Sequence, residues 1–392
     1  MKLRQLINLG FLFLCLSVSK SIAQTDSLTL AQTDISILTC RSGDELYSTF
    51  GHTAIRINNI PLDLDLVYNY GLFSFDTPNF YVKFMRGQLP YLLGNTKMQY
   101  FLQEYQVEKR SIFEQVLILD NKRKKEIIEF LQFNIQPENR AYAYDFFYDN
   151  CATRVVDVYD IYGQPGKEIN YLKEVEEKTF RDLLKENLRN LPWSEFGIDI
   201  VIGARADLIT NRRHQMFLPE YLMDNLANAT IEYEGTTSNL AKEPKVILDY
   251  EAENENRKTY ATPWPLILML ILLIITIVVN RKPTKWSRIF NRILLGVSGI
   301  FGLFLLFMWF GTNHGATRDN WNVLWLNPLL LLLFTKLREN TILKMALTGC
   351  LVIAGLNCLV TFLPQFFHIA FLPVIASIGI AIWKLHSDAR LS

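Results

Sequence analysis

The chain has 392 residues, 50% of them hydrophobic, and a formal net charge of +1. Residues 24–262 carry 26 Lys and Arg against 36 Asp and Glu, a net −10, whereas residues 263–392 carry 11 against 3, a net +8. A disordered chain would not be so apolar, and the acidic part lacks the basic surface that nucleic-acid binding needs. The division therefore indicates two dissimilar parts.

The first 23 residues have the pattern of a signal peptide. Lys2 and Arg4 precede the apolar stretch 6–18, and residues 21–23 end it with small side chains. We therefore expect the mature chain to begin near Gln24 and residues 24–262 to be exported. An uncleaved signal anchor is the alternative.

Residues 24–235 have the pattern of one α+β domain. Alternating or β-branched stretches predict strands at 34–40, 52–58, 66–73 and 109–119, and an aromatic extended stretch at 142–148. Cap residues predict helices that begin after Thr77, Asp120, Asn150, Thr179 and Leu218. Residues 236–262 have the composition of a linker, with one short strand at 246–248.

Residues 263–392 hold apolar segments that predict an all-α bundle of about five transmembrane helices. The segments are 264–279, 293–311, 321–335, 343–362 and 366–385. If residues 24–262 are outside, ten Lys and Arg fall on the cytoplasmic side and only Arg318 lies in an outer loop. This bias predicts a multi-pass inner-membrane protein with a periplasmic domain and a cytoplasmic C-terminus.

Two residues of the exported part carry the pattern of thiol chemistry. Cys151 stands in the predicted first turn of a helix, where unpaired N–H groups and the helix dipole favour a thiolate. His52 follows a glycine at the start of a predicted strand, and a neutral imidazole near Cys151 would act as its base. The residues alone leave two alternatives open, a Cys40–Cys151 disulfide and a structural His52. Metal-binding spacings and phosphate loops are absent from the sequence, so we expect no metal and no cofactor.

The order of His52 before Cys151 resembles the permuted papain-like fold of NlpC/P60-related peptidases and of lecithin:retinol acyltransferase. Four runs resemble the Lnb-type bacterial lipoprotein N-acyltransferases more closely. They are FGHTAIR at 50–56, YNYGLF at 68–73, DNCATR at 149–154 and MFLPEYL at 216–222. Members of that family carry a periplasmic domain of this kind on several C-terminal spans, so the resemblance covers nearly all of the mature chain.

The resemblance implies transfer of a fatty acyl chain from a phospholipid, through a thioester on Cys151, to the α-amino group of a lipoprotein's lipidated N-terminal cysteine. His52 would be the base, and Asn69, on the next predicted strand, is the candidate to orient it. The candidates for binding the lipid head group or the acceptor are Arg56, Arg154, His314 and Asn320. Two other classes stay open, a membrane-anchored cysteine peptidase or amidase acting on peptidoglycan and a non-enzymatic envelope scaffold.

Overall fold

The computed structural model describes residues 27–160, 169–233, 236–251 and 263–387. The predicted signal peptide and residues 252–262 of the predicted linker lie outside these residues. The strands are β1 Thr33–Cys40, β2 His52–Asn59, β3 Leu64–Leu72, β4 Pro90–Lys97, β5 Ile112–Val116, β6 Ala141–Ala143, β7 Ile169–Tyr171, β8 Ala229–Tyr233, β9 Thr236–Asn239 and β10 Lys245–Leu248.

The helices of the exported part are mostly short. They are α1 Ser27–Ala31, α2 Phe80–Met85, α3 Met98–Val107, α4 Asn121–Asn134, α5 Cys151–Val158, α6 Phe180–Leu188, α7 Pro192–Val201, α8 Arg212–Gln215 and α9 Pro219–Ala227. The C-terminal part holds α10 Trp264–Val279, α11 Lys285–Phe310, α12 Thr341–Leu359 and α13 Phe371–Ser387.

A seven-stranded antiparallel sheet, in the order β10-β5-β1-β2-β3-β4-β6, forms the centre of the exported domain. The central strands β1, β2 and β3 alternate, so each contributes apolar residues to both faces of the sheet. Ile35, Ile55 and Ile57 face one side, where α4, α5 and α9 pack. Ala54 and Val67 face the other side, where α3 packs. β7, β8 and β9 form a separate three-stranded sheet.

The predicted α+β class is confirmed, since the described chain mixes antiparallel sheets with helices. The strands predicted at 34–40, 52–58, 66–73 and 246–248 appear as β1, β2, β3 and β10, and the one at 109–119 shortens to β5. The helices predicted after Asp120, Thr179 and Leu218 begin where expected, with Asp120 and Thr179 as side-chain caps. The permuted papain-like arrangement itself stays a prediction.

The C-terminal part departs from the predicted bundle of about five helices. Two of its helices, α11 and α12, are long and apolar enough to cross a membrane, and α10 and α13 are shorter. The segment 321–335 is not an α-helix; it forms 3-10 turns at 321–324 and 328–334. Pro328 has no N–H to donate, and the Asn327 side chain accepts from Leu329 N, so each turn is capped separately.

The 3-10 segment packs along α11 where that helix lacks side chains. A Cβ on Gly302 would lie 2.2 Å from Leu326 O, and one on Gly299 would lie 2.7 Å from the Leu331 side chain. The glycines therefore allow close backbone approach.

Three buried amide side chains of the C-terminal part cap the end of α7 in the exported domain. Asn320 Nδ2 donates to Ile200 O and Val201 O at 2.9 and 2.8 Å. Asn322 donates to the Asp199 and Ile200 carbonyls, and Gln365 donates to Ile202 O at 3.1 Å. This amide cap (Asn320, Asn322 and Gln365) satisfies carbonyls that a helix end otherwise leaves unpaired.

The residues that follow α7 also contact the C-terminal part, through the loop after α11. Gly203 N donates to Ala316 O at 2.9 Å, and Ala204 N donates to Asp319 O at 3.0 Å. A Cβ on Gly203 would lie 1.9 Å from Arg318 O, so only glycine allows this approach. The loop after α11 is therefore held against the exported domain by its backbone.

Candidate active site

His52 is the first residue of β2, and the turn before it fixes its position. Gly51 has φ = 75°, and a Cβ there would lie 2.7 Å from Cys40 O. Cys40 is paired with His52 across β1 and β2. Because an L side chain would meet both backbone strain and a clash, glycine is required immediately before the histidine.

Cys151 is the first residue of α5, as predicted. The Asn150 side chain accepts from Thr153 N at 2.9 Å, and Thr153 Oγ1 accepts from Asn150 N at 2.7 Å, which forms a capping box. Asn150 Nδ2 also donates to Phe146 O and Phe217 O. The start of the helix, and with it the cysteine, is thus fixed by the loops on both sides.

The structure brings Cys151 and His52 together as an interacting pair. Burial alone raises the pKa of the Cys151 thiol, but the charge and hydrogen bond of His52 and the Thr53 and Ala152 backbone N–H groups outweigh it, so the pKa is lowered below 9.0. Burial lowers the pKa of His52, but the charge and hydrogen bond of Cys151 and the Asn69 hydrogen bond raise it above 6.5 overall. These shifts favour a thiolate–imidazolium pair.

Asn69 completes the group. It is buried on β3, and its Oδ1 lies 3.1 Å from His52 Nε2. An amide oxygen only accepts, so His52 Nε2 carries a proton and Nδ1 is the nitrogen left for Cys151. The structure therefore places the three residues that the sequence nominated as catalytic, Cys151, His52 and Asn69, in one chain of contacts.

Cys40 is not a partner of Cys151. Among the described cysteines both are free thiols, and Cys40 is fully buried. Burial raises the pKa of Cys40 to about 12, despite a hydrogen bond with Tyr105 that lowers it. Cys40 is therefore a poor nucleophile beside the activated Cys151.

Two tyrosines of the predicted extended stretch also interact electrostatically with the thiol. Burial and the charge of Cys151 raise the pKa values of Tyr142 and Tyr144, so both stay neutral. Tyr91 stacks on Tyr144 with ring centroids 4.4 Å apart. These three residues, Tyr91, Tyr142 and Tyr144, are called the tyrosine wall below. In the sequence, only the aromatic run 142–148 indicated it.

A cavity of about 210 Å³ opens beside the tyrosine wall. Its lining is mostly apolar and comes from both parts of the chain: Phe84, Leu89, Tyr91, Tyr144, Phe146 and His314. Tyr144 lines this cavity and also interacts electrostatically with Cys151. The cavity therefore lies at the junction with the C-terminal part and shares Tyr144 with the surroundings of the thiol.

Comparison with known families agrees with the resemblance seen in the motifs. Residues 21–186 match the Lnb N-terminal periplasmic domain, and residues 254–387 match the Lnb transmembrane domain. The chain belongs to the Lnb family. It is a membrane protein with a periplasmic N-terminal domain and a C-terminal transmembrane domain. Neither a curated protein nor a solved structure matches it.

The Lnb-family match does not identify the substrate-binding residues, so the candidates are judged by their contacts. Both candidate arginines, Arg56 and Arg154, already form ion pairs with carboxylates. Arg56 donates to both Asp65 oxygens at 2.7 and 2.8 Å and to Glu114 at 2.9 Å. Arg154 forms a bidentate pair with Asp149, and its guanidinium lies 4.2 Å above the Tyr142 ring. Because carboxylates fill the fork of Arg56, we do not propose it as a phosphate ligand. Arg154 lies near Cys151 and stabilises the loop before α5.

The two nominated residues of the membrane part have different positions. His314 lines the cavity, with its Nε2 3.1 Å from Phe84 O and 3.2 Å from Met85 O. Asn320 is fully buried in the amide cap, where its Nδ2 binds the end of α7. Asn320 is therefore a structural residue at the junction, and its assignment to substrate binding is a prediction that its geometry does not support.

A group of potential metal ligands lies apart from Cys151. Glu195, Asp199 and His368 have ligand atoms within 4.8 Å of one another. Arg181 donates to Asp199 in a pair in which both side chains are almost fully buried. Since the guanidinium already supplies the positive charge that Asp199 needs, we do not assign a metal there.

Proposed function

We propose that this Lnb-family protein is a lipoprotein N-acyltransferase. It would move a fatty acyl chain from a phospholipid, through a Cys151 thioester, to the α-amino group of the lipidated N-terminal cysteine of a lipoprotein. The observations that carry the proposal are the Cys151–His52–Asn69 chain of contacts and a mostly apolar cavity nearby, part of whose lining belongs to the transmembrane domain. A lipid ester fits that setting better than a polar peptidoglycan strand.

In the first half-reaction, His52 Nδ1 accepts the thiol proton and Cys151 Sγ attacks the ester carbonyl carbon. The Thr53 and Ala152 N–H groups, which now point at the sulfur, are the donors nearest to the oxyanion. When the tetrahedral intermediate collapses, the C–O bond breaks and the His52 imidazolium protonates the departing lysophospholipid oxygen. The acyl group remains on sulfur.

In the second half-reaction the acceptor amine attacks the thioester carbon. His52, neutral again, takes the proton that the nitrogen loses, and the C–S bond breaks to release Cys151 as a thiolate. Asn69 keeps Nδ1 directed at the reacting atoms in both steps. Two half-reactions with one base fit the thiol chemistry of related cysteine enzymes.

The cavity is too small for a whole phospholipid. About 210 Å³ is below the 300–1,000 Å³ typical of small-molecule pockets. We therefore propose that it receives the ester and the adjacent carbons, while the rest of each acyl chain stays in the bilayer beside the transmembrane domain. This explains why the membrane part contributes to the site.

The direct test uses the full-length protein with phospholipid vesicles and a diacylated lipopeptide acceptor. Mass spectrometry should show an acyl adduct on Cys151 and then an N-acylated lipopeptide. Cys151→Ala should abolish both, and Cys350→Ala, a thiol change on α12, should abolish neither. Absence of any acyl adduct on Cys151 in the wild-type protein, with turnover of peptidoglycan fragments instead, would replace this proposal by the hydrolase alternative.

A further inference from the structure

A surface beside the site exposes more apolar side chains than a water-facing loop normally does. Residues 72–85, here called the apolar segment, comprise the end of β3, a loop and α2. Tyr81 is 76% exposed and Phe75 is 72% exposed. The other large exposed apolar residues of the segment are Leu72, Phe73, Val82, Phe84 and Met85. Contiguous patches of this kind mark interaction surfaces.

The apolar segment is a formed surface, because its rings pack on one another. Phe75 lies 4.8 Å from Phe80 and 5.3 Å from Phe73, measured between ring centroids. Phe73 also contacts Tyr91 at 5.5 Å, and Tyr91 stacks on Tyr144 of the tyrosine wall. The exposed aromatic cluster is therefore continuous with the cavity at the junction, which Tyr91 and Tyr144 line.

The apolar segment lies at the level where the second span ends. Asn313 N donates to Arg86 O at 2.8 Å, and His314 Nε2 contacts the Phe84 and Met85 carbonyls. α11 ends at Phe310, so Asn313 and His314 lie three and four residues beyond the span, within at most roughly 11 and 14 Å of its end. An interfacial helix lies within about 5–10 Å of the boundary between head groups and acyl chains, so this short connection keeps the apolar segment close to that boundary.

We propose that the apolar segment inserts into the outer leaflet of the bilayer and forms the lipid-side rim of the cavity at the junction. The bilayer is the occupant because the segment is bonded to the loop that leaves a transmembrane helix. Its composition agrees, since Lys83 lies within α2 and Arg86 directly follows it, and basic residues accompany the aromatic ones in interfacial helices. The role given to this rim, delivery of a phospholipid ester to Cys151, rests on the proposed function. Insertion of the apolar segment into the bilayer does not depend on that function.

The insertion is tested with the full-length protein in phospholipid vesicles. A photo-crosslinking phenylalanine analogue is placed at Tyr81, and as a matched control at Ile60, which is 82% exposed. Ile60 follows β2 at the end opposite His52, about 26 Å away along eight residues. We expect phospholipid adducts at position 81 and none at position 60. Adducts at position 81 with protein alone, or no adducts there, would overturn the proposal.

A second measurement connects insertion with catalysis. Phe75→Ser together with Tyr81→Ser should slow acylation of Cys151 by vesicle phospholipids about tenfold, since each aromatic ring loses part of its transfer free energy. Alkylation of Cys151 by a water-soluble reagent should not change, and Ile60→Ser should change neither rate. Equal acylation rates in the double variant and the wild type would contradict the rim role. Lipid adducts without acylation in the wild type would instead contradict the proposed function and leave insertion supported.

Discussion

Replacing Asn69 tests the proposed active site most directly. Asn69→Ala removes the acceptor that lies 3.1 Å from His52 Nε2. A hydrogen bond to a charged group contributes about 1.5–3 kcal/mol, so losing it should slow Cys151 acylation roughly 10- to 150-fold. The assay measures acyl-enzyme formation from a soluble activated ester, with the full-length protein in detergent. Because Asn69 is buried, thermal unfolding is measured in parallel, and Asn58→Ala, at the far end of β2, is the matched control.

The pH dependence of Cys151 acylation shows whether Asn69 orients His52 or only fills space in the core. The thiolate–imidazolium pair persists between the lowered pKa of Cys151 and the raised pKa of His52, and is lost above the latter when His52 deprotonates. Asn69→Asp keeps an acceptor and adds a negative charge, which raises the pKa of His52 further, so the alkaline limit of activity should move upward. An unchanged rate in Asn69→Ala, or an unchanged profile in Asn69→Asp, would refute the role given to Asn69.

Three further outcomes follow from the structure. Gly203→Ala should lower the unfolding temperature of the full chain because its Cβ would lie 1.9 Å from Arg318 O, whereas Gly197→Ala, whose Cβ meets nothing within 4 Å, should not. Peptide mapping after brief alkylation should find Cys151 modified before Cys40, because burial raises the pKa of Cys40 to about 12. A quantitative Cys40–Cys151 disulfide would contradict the mechanism. A reporter fused to the C-terminus should be active in the cytoplasm; activity only outside it would reverse the predicted topology.

The parts of the fold and site that the sequence predicts are those with local signals. Asp120, Asn150 and Thr179 were recognisable as helix caps, and each caps its helix through a side-chain hydrogen bond. Cys151 was placed correctly for the same reason, since the capping box spans only four residues. Asn69 required one further step, the expectation that consecutive strands pair.

The parts that the sequence does not predict depend on residues far apart in the chain. Arg56 is paired with Glu114, 58 residues away, and only the β1–β5 pairing brings that carboxylate to it. β4 contains Gly94 and has no clear alternation, so its pattern does not distinguish it from a loop. The segment 321–335 was long enough to suggest a helix, but its conformation is decided by capping side chains and by the glycines of α11.

The junction between the two domains changes what an isolated exported domain is expected to do. Truncation after residue 251 removes the amide cap and exposes Phe196 and Ile200, which pack against the transmembrane core. Each such side chain contributes about 1.5–3 kcal/mol when fully buried; both are half-buried here, so α7 should lose roughly 1–3 kcal/mol of local stability. The central sheet and α5 make their cores within the exported part and should persist.

Thiol reactivity should therefore survive truncation, whereas acylation by phospholipid should not. Drawing a chain of about 14 methylenes into water costs about 0.8 kcal/mol for each, or roughly 11 kcal/mol. The truncated domain keeps the apolar segment but loses the transmembrane helices and the His314 side of the cavity, which would hold the rest of the chain. Hydrogen exchange should show faster opening of α7 than of β2 and β3 in the truncated protein, with alkylation of Cys151 retained. If the truncated domain transfers acyl chains from vesicles at the full-length rate, the membrane domain does not form part of the site and the cavity at the junction has another use.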